Sequence, residues 1–202
     1  MKRAIILGSC ASVLVLGIGY SAAAQQSSPS KKPASNSASK QIITTIDGYE
    51  LPGDLASAVA FEGNDLVFSG TVTGTGQARR VVRKIGPDTV DYVYTPILFK
   101  VDSVRRGTGV KAGDTVNLRA LGGTVGNHVT RSETGAAPSS YTTGLRLVVF
   151  AQPSVNAGDG LTAITPNYTF AYDSTGQRVY NLAAPSNVSS VRVLNQGLAT
   201  VH

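Results

Sequence analysis

The sequence predicts an all-β domain, a sheet curled into a small barrel with one short helix near its start. Three observations predict it. Valine, threonine and tyrosine recur in short runs that alternate apolar and polar positions, the pattern of half-buried strands. Glycine and proline punctuate those runs at short intervals. No helical pattern of crossover length separates them, which favours antiparallel pairing over βαβ units.

Leu-Ala-Ser-Ala-Val-Ala, entered from Asp54 as N-cap and stopped by Gly63, predicts a helix from Asp54 to Phe61 packed at one end of the barrel. In Asp65 to Thr73, Leu66, Phe68 and Val72 share one face, and Val67, Ser69, Thr71 and Thr73 share the other. The longest strand spans Tyr92 to Val104 and sets Ile97, Phe99 and Val101 against Leu98, Lys100 and Asp102, with Pro96 marking a bulge or an edge. Thr115 to Leu121 turns Val116, Leu118 and Ala120 inward and Thr115, Asn117 and Arg119 outward. Leu145 to Phe150, apolar apart from Arg146, reads as a core strand. Tyr168, Phe170 and Tyr172, then Asp173-Ser174-Thr175-Gly176, then Arg178, Tyr180 and Leu182, predict a hairpin with an aromatic inner face.

The N-terminus reads as a secretory signal over residues 1–24. Lys2 and Arg3 precede an apolar run from Ala4 to Tyr20, and Ser21-Ala22-Ala23-Ala24 offers a small-residue cleavage site after Ala24. Leu7-Gly8-Ser9-Cys10 leaves lipidation open as an alternative, and an uncleaved anchor is a third. Residues 25–40 hold no apolar side chain larger than alanine and read as a disordered linker. The β-barrel domain is then 41–202. Cys10 is the only cysteine and leaves with the leader, so the mature chain has neither disulfides nor thiol chemistry, which fits a bacterial exported protein.

Five of the 18 basic residues precede Gln41 and no acidic residue precedes Asp47, which leaves 13 basic against 12 acidic groups in the domain. A near-neutral domain argues against nucleic acid as a partner.

Phe-Ser-Gly-Thr-Val-Thr-Gly at 68–74, Tyr94 to Gly107, Gly113 to Gly126 and Leu-Val-Val-Phe at 147–150 resemble, in order and spacing, a group of exported bacterial proteins. That group has an OB-like barrel distantly similar to the inhibitory domain of tissue inhibitors of metalloproteinases. The resemblance covers roughly residues 65–182. It implies a fold, an OB-like (TIMP-like) barrel, and no reaction. The animal inhibitors chelate zinc through an N-terminal cysteine, and no residue of the mature chain here can take that part.

Among chemical motifs, Gly122-Gly123-Thr124-Val125-Gly126 lacks the lysine and following helix of a phosphate cradle and reads as a bend that takes the chain off the sheet. His128, the only internal histidine, has no second histidine or cysteine to share a metal and reads as the start of an exposed loop reaching about Tyr141. The carboxylates sit beside glycine, asparagine or strand ends, where turn and capping roles explain them. No Gly-x-Ser-x-Gly elbow occurs. Neither a catalytic set, a metal site nor a cofactor site is therefore expected.

Basic residues supply the candidate binding site. Arg79, Arg80, Arg83 and Lys84 fall between the first two long strands, as a connection or an exposed hairpin arm. Arg105, Arg106 and Lys111 fall in the turn after the second. Brought to one barrel end, they would form an anion-binding patch of the kind oligomer-binding barrels place on their loops. The expected protein is a secreted or periplasmic monomer, not an enzyme. It would bind an unidentified protein or anionic envelope component and touch a membrane only through the signal segment. The alternative is an extracellular protease inhibitor acting through an exposed loop.

Overall fold

The computed structural model describes residues 40–46 and 50–200; the leader, and the linker up to residue 39, lie outside them. Thirteen strands and two helices follow one another: β1 (Ile42–Ile46), α1 (Leu55–Ala60), β2 (Leu66–Thr75), β3 (Arg79–Ile85), β4 (Asp88–Arg106), β5 (Thr115–Leu121), β6 (Gly123–Val125), β7 (His128–Ser132), β8 (Arg146–Ala151), β9 (Val155–Asn156), β10 (Thr162–Ala163), β11 (Pro166–Tyr172), β12 (Arg178–Asn181), β13 (Val188–Ser190) and α2 (Val191–Leu198). The fold is all-β, as the alternation predicts.

Antiparallel ladders join β11, β8, β2, β4 and β5 in that spatial order. Between β5 and the residue leading into β11 the contact is a single parallel bridge, Leu118 to Ile164, with Ile164 donating to the Asn117 carbonyl at 2.8 Å and Arg119 to the Ile164 carbonyl at 2.8 Å. Five strands in this circuit, incompletely closed, make a small barrel-like sheet.

The 19-residue β4 meets β3 along its first part and β2 along its last, on one edge, while β5 takes the other. Pro96 lies where the partner changes. Its carbonyl accepts from Gly76 at 2.7 Å in the gap between β2 and β3, so the missing N–H falls where the ladder is already interrupted.

Alternation sorts the side chains into two main cores, beside a smaller third cluster of Val81, Tyr92, Tyr94, Leu121 and Ala157. Leu66, Phe68, Val72, Ile97, Phe99, Leu118, Leu147 and Val149 fill the barrel. Val67, Val148, Phe150, Tyr168, Phe170 and Val179 point the other way, against Leu55 and Ala58 of α1 and Leu194 and Leu198 of α2. Both faces of β8 are thereby covered, which is why Leu147 to Phe150 is uniformly apolar.

This arrangement corrects three expectations. Helix α1, capped by Asp54 accepting from the Ser57 amide at 2.8 Å, lies on the outer face of the sheet, not at a barrel end. A second helix, α2, closes the same face, with Gly197 so near Val59 that a Cβ there would sit 3.0 Å from it. Tyr168 and Phe170 therefore turn outward under the helices, while their neighbours Thr169 and Ala171 take the inner face.

The glycine run bends as predicted. Gly122 and Gly123 have φ of 126° and 134°, and a side chain at Gly123 would meet Thr95 Oγ1 at 3.0 Å. The chain leaves β5 there and enters β6, which pairs with β7; β1 then adds in parallel to β7. His128 opens β7 and does not begin a loop, because the turn at Gly126 folds the chain straight back onto β6.

Candidate functional site

The structure divides the predicted basic set. Arg79 to Lys84 form strand β3, the first half of a hairpin arm with β4, so the arm reading holds and the loop reading does not. Arg105 and Arg106 end the same β4, at its opposite end: Arg83 pairs with Val90, whereas Arg106 pairs with Val67. The expectation of a single patch at one barrel end fails because one long strand separates the two groups.

The members of the arm differ. Arg80 grips Asp91 through two hydrogen bonds of 2.8 and 2.7 Å, and His128 Nδ1 stands 3.8 Å from the same carboxylate. Arg80 first, then His128, holds Asp91 below the usual carboxylate range. Beyond Val81 every residue from Val82 to Thr89 is exposed. Among the described residues, Arg83 and Lys84 are in no ion pair, and Val82 and Ile85 stand beside them 56% and 48% exposed.

Arg79 belongs to a second arrangement, which sequence reasoning missed. Its Nε donates to Asp159 Oδ2 at 2.6 Å, its Nη2 donates to the Asp159 carbonyl, and Tyr94 Oη donates to the same Oδ2 at 2.6 Å. Beneath them Arg119 stacks on the Tyr94 ring at 4.9 Å, donating to Thr165 Oγ1 at 2.8 Å and to the Val155 carbonyl at 3.2 Å. Arg119 is 5% exposed and its Nε has no acceptor among the described residues. Burial raises the Asp159 carboxyl, but donation from Tyr94 and Arg79 outweighs it and leaves the group below its ordinary value. Burial, and then the bond to Asp159, pushes the Tyr94 hydroxyl up to about 12.

A third cluster lies inside the barrel. Glu50 Oε2 accepts from the Ala136 amide at 3.1 Å and from Tyr141 Oη at 2.9 Å, while the buried Oε1 has no partner among the described residues. Burial raises the Glu50 pKa above its ordinary 4.5, against the pull of the nearby Thr169 hydroxyl and of the bonds from Tyr141 and Ala136; burial and then Glu50 push Tyr141 well above its own. The folded state thus holds the Glu50 proton more tightly than the unfolded chain does. This contribution to stability is complete below the unfolded pKa and is lost as pH rises through the folded one. Glu50→Gln keeps an acceptor for Ala136 and Tyr141 and removes the charge. At pH 8 it is expected to be more stable than the parent by about 1–3 kcal/mol, with the gap narrowing toward pH 4. Thermal melts of both proteins across that range decide it, and parallel curves would refute it.

Among the described residues no three of His, Cys, Asp and Glu gather as metal ligands would. No helix there is long and apolar enough to cross a membrane. Neither a family model, a characterised protein nor a solved structure matches the chain.

Proposed function

We propose that the chain is an exported, non-catalytic binding module that meets an anionic component of the bacterial cell envelope through the β3–β4 arm. The observation that carries this reading is the exposure of Val82 to Thr89 on both faces, with Arg83 and Lys84 lacking counter-ions among the described residues. Two cations beside two aliphatic side chains suit a surface that is charged outside and apolar just beneath, as a headgroup layer is. Asp88 is the one acid in the exposed stretch, so the tip stays net positive. The signal-like leader and the resemblance to exported bacterial proteins of the TIMP-like group support the same setting. Secretion or release to the periplasm after Ala24 is part of the proposal.

Arg79 and Arg80 hold structural acids, so the informative change is Arg83→Ser with Lys84→Ser. At about 1 kcal/mol for each basic residue near an anionic surface, the pair should lower retention on anionic lipid vesicles or envelope preparations about thirtyfold. Added salt should lower parental retention in the same way. Unchanged retention in sedimentation would end this reading, and inhibition in a panel of extracellular proteases would replace it with the loop-inhibitor alternative.

A further inference from the structure

The segment between β8 and β11 crosses the outer face of β4 and β5 as a strap. Its two strands, β9 and β10, have two residues each and, among the described residues, pair only with one another. Residues 152–156 are exposed, and Asp159 sits at the tip between Gly158 and Gly160, both at positive φ. An open cleft lined by Val110, Thr115, Asn117, Ser154 and Thr162 already separates the strap from β5 at its base. The strap's last residue, Ile164, is held to the Asn117 carbonyl at 2.8 Å, whereas the bond reaching further into the strap, Asn117 Nδ2 to the Thr162 carbonyl, measures 3.5 Å, at the limit of one.

The polar groups under the strap are donors, two guanidinium groups and a phenol hydroxyl, beside an apolar patch of Val81, Tyr92 and Leu121 that takes the strap's Ala157. What the strap returns consists of acceptors: the Asp159 carboxylate, the Asp159 carbonyl and the Val155 carbonyl. The match is incomplete, because Arg119 Nε is buried without an acceptor among the described residues. A buried charged group left short of a partner marks a surface whose hydrogen bonding its present cover does not complete.

We infer that the strap is a displaceable pseudo-ligand, and that the surface of Arg79, Tyr94 and Arg119 beneath it binds an extended acidic peptide. The incoming carboxylate takes the place of Asp159 between Arg79 Nε and Tyr94 Oη, and a main-chain carbonyl takes the place of Val155 on Arg119. This site is separate from the arm tip and does not depend on envelope binding.

The test uses the full chain and a labelled synthetic peptide carrying the sequence of residues 153–163. Asp159→Ala removes the internal carboxylate and should bind this peptide at least about tenfold more tightly than the parent, by fluorescence anisotropy. The gain should vanish for a peptide with asparagine in place of aspartate, and for Asp159→Ala combined with Arg79→Gln. Equal binding by parent and Asp159→Ala, or binding by neither, overturns the proposal. If Asp159→Ala does not fold, hydrogen exchange on the parent decides instead. The Ala157 and Leu161 amides should exchange about a hundredfold faster than those of β4, and slow when millimolar peptide is added. Protection equal to that of β4 would show a fixed strap and overturn it.

Discussion

Gly70→Ala is expected to cost about 3 kcal/mol or more, lowering the melting temperature by about 10 °C, if the protein folds at all. Gly70 lies in β2 with ladders on both sides, opposite Val101 of β4 and Leu147 of β8. A Cβ at this position would lie far inside contact distance of the Lys100 carbonyl oxygen, and 2.6 and 2.9 Å from two atoms of the Phe99 ring. Phe99 is fully buried and packs edge-on against Phe68, with ring centroids 5.7 Å apart, so it cannot retreat without opening the barrel core. The Lys100 carbonyl belongs to the strand itself. Relief therefore requires β2 and β4 to part, which overpacking of a side chain alone would not. Gly74→Ala, four residues along the same strand, meets only Leu98 Cδ1 at 3.5 Å and should change stability by less than about 1 kcal/mol. Urea denaturation of the two variants compares them directly, and equal midpoints would show that the close approach at Gly70 is not what limits the site.

The same strand shows where sequence reading works and where it stops. Alternation identified the two faces of β2, β4 and β5 correctly, because a period of two is set by the backbone alone. It does not say which face meets the barrel core where both are buried, so the aromatic face of β11 reads as inward although helices cover it and Thr169 and Ala171 line the inside. Helix α2 carries a legible signal, Ser190 as cap with Val191, Leu194 and Leu198 at helical spacing, but Val191, Val193 and Gly197 are poor helix formers and weaken it.

The candidate site was legible by composition and not by partnership. Arg80 finds Asp91 11 residues away, within one hairpin, whereas Arg79 finds Asp159 80 residues away across the barrel. Arg119 reads as outward and is so, but outward is not solvent when a strap covers that face. Glu50, in a stretch rich in turn residues, had no sequence feature separating it from an ordinary surface acid.

Asn181→Ala should be the largest loss among the polar positions, about 3–4 kcal/mol. Asn181 is fully buried in β12. Its Nδ2 donates to the Leu51 carbonyl at 2.9 Å and the Gly53 carbonyl at 2.7 Å, and its Oδ1 accepts from Ala183 at 2.8 Å and Ala184 at 3.2 Å. The amide thus uses both donor hydrogens and its acceptor on four backbone groups, and it fastens the approach to α1 onto the turn after β12. Truncation strands those groups and frees the segment that carries Leu55 and Ala58 into the outer core. Asn181→Asp separates hydrogen bonding from volume. It keeps the acceptor for Ala183 and Ala184, but sets a second oxygen against the Leu51 and Gly53 carbonyls, so it should destabilise more than alanine at pH 7 and recover part of the difference as the carboxyl protonates in acid. If instead aspartate is tolerated better than alanine at pH 7, side-chain volume and not donation holds α1 to the sheet.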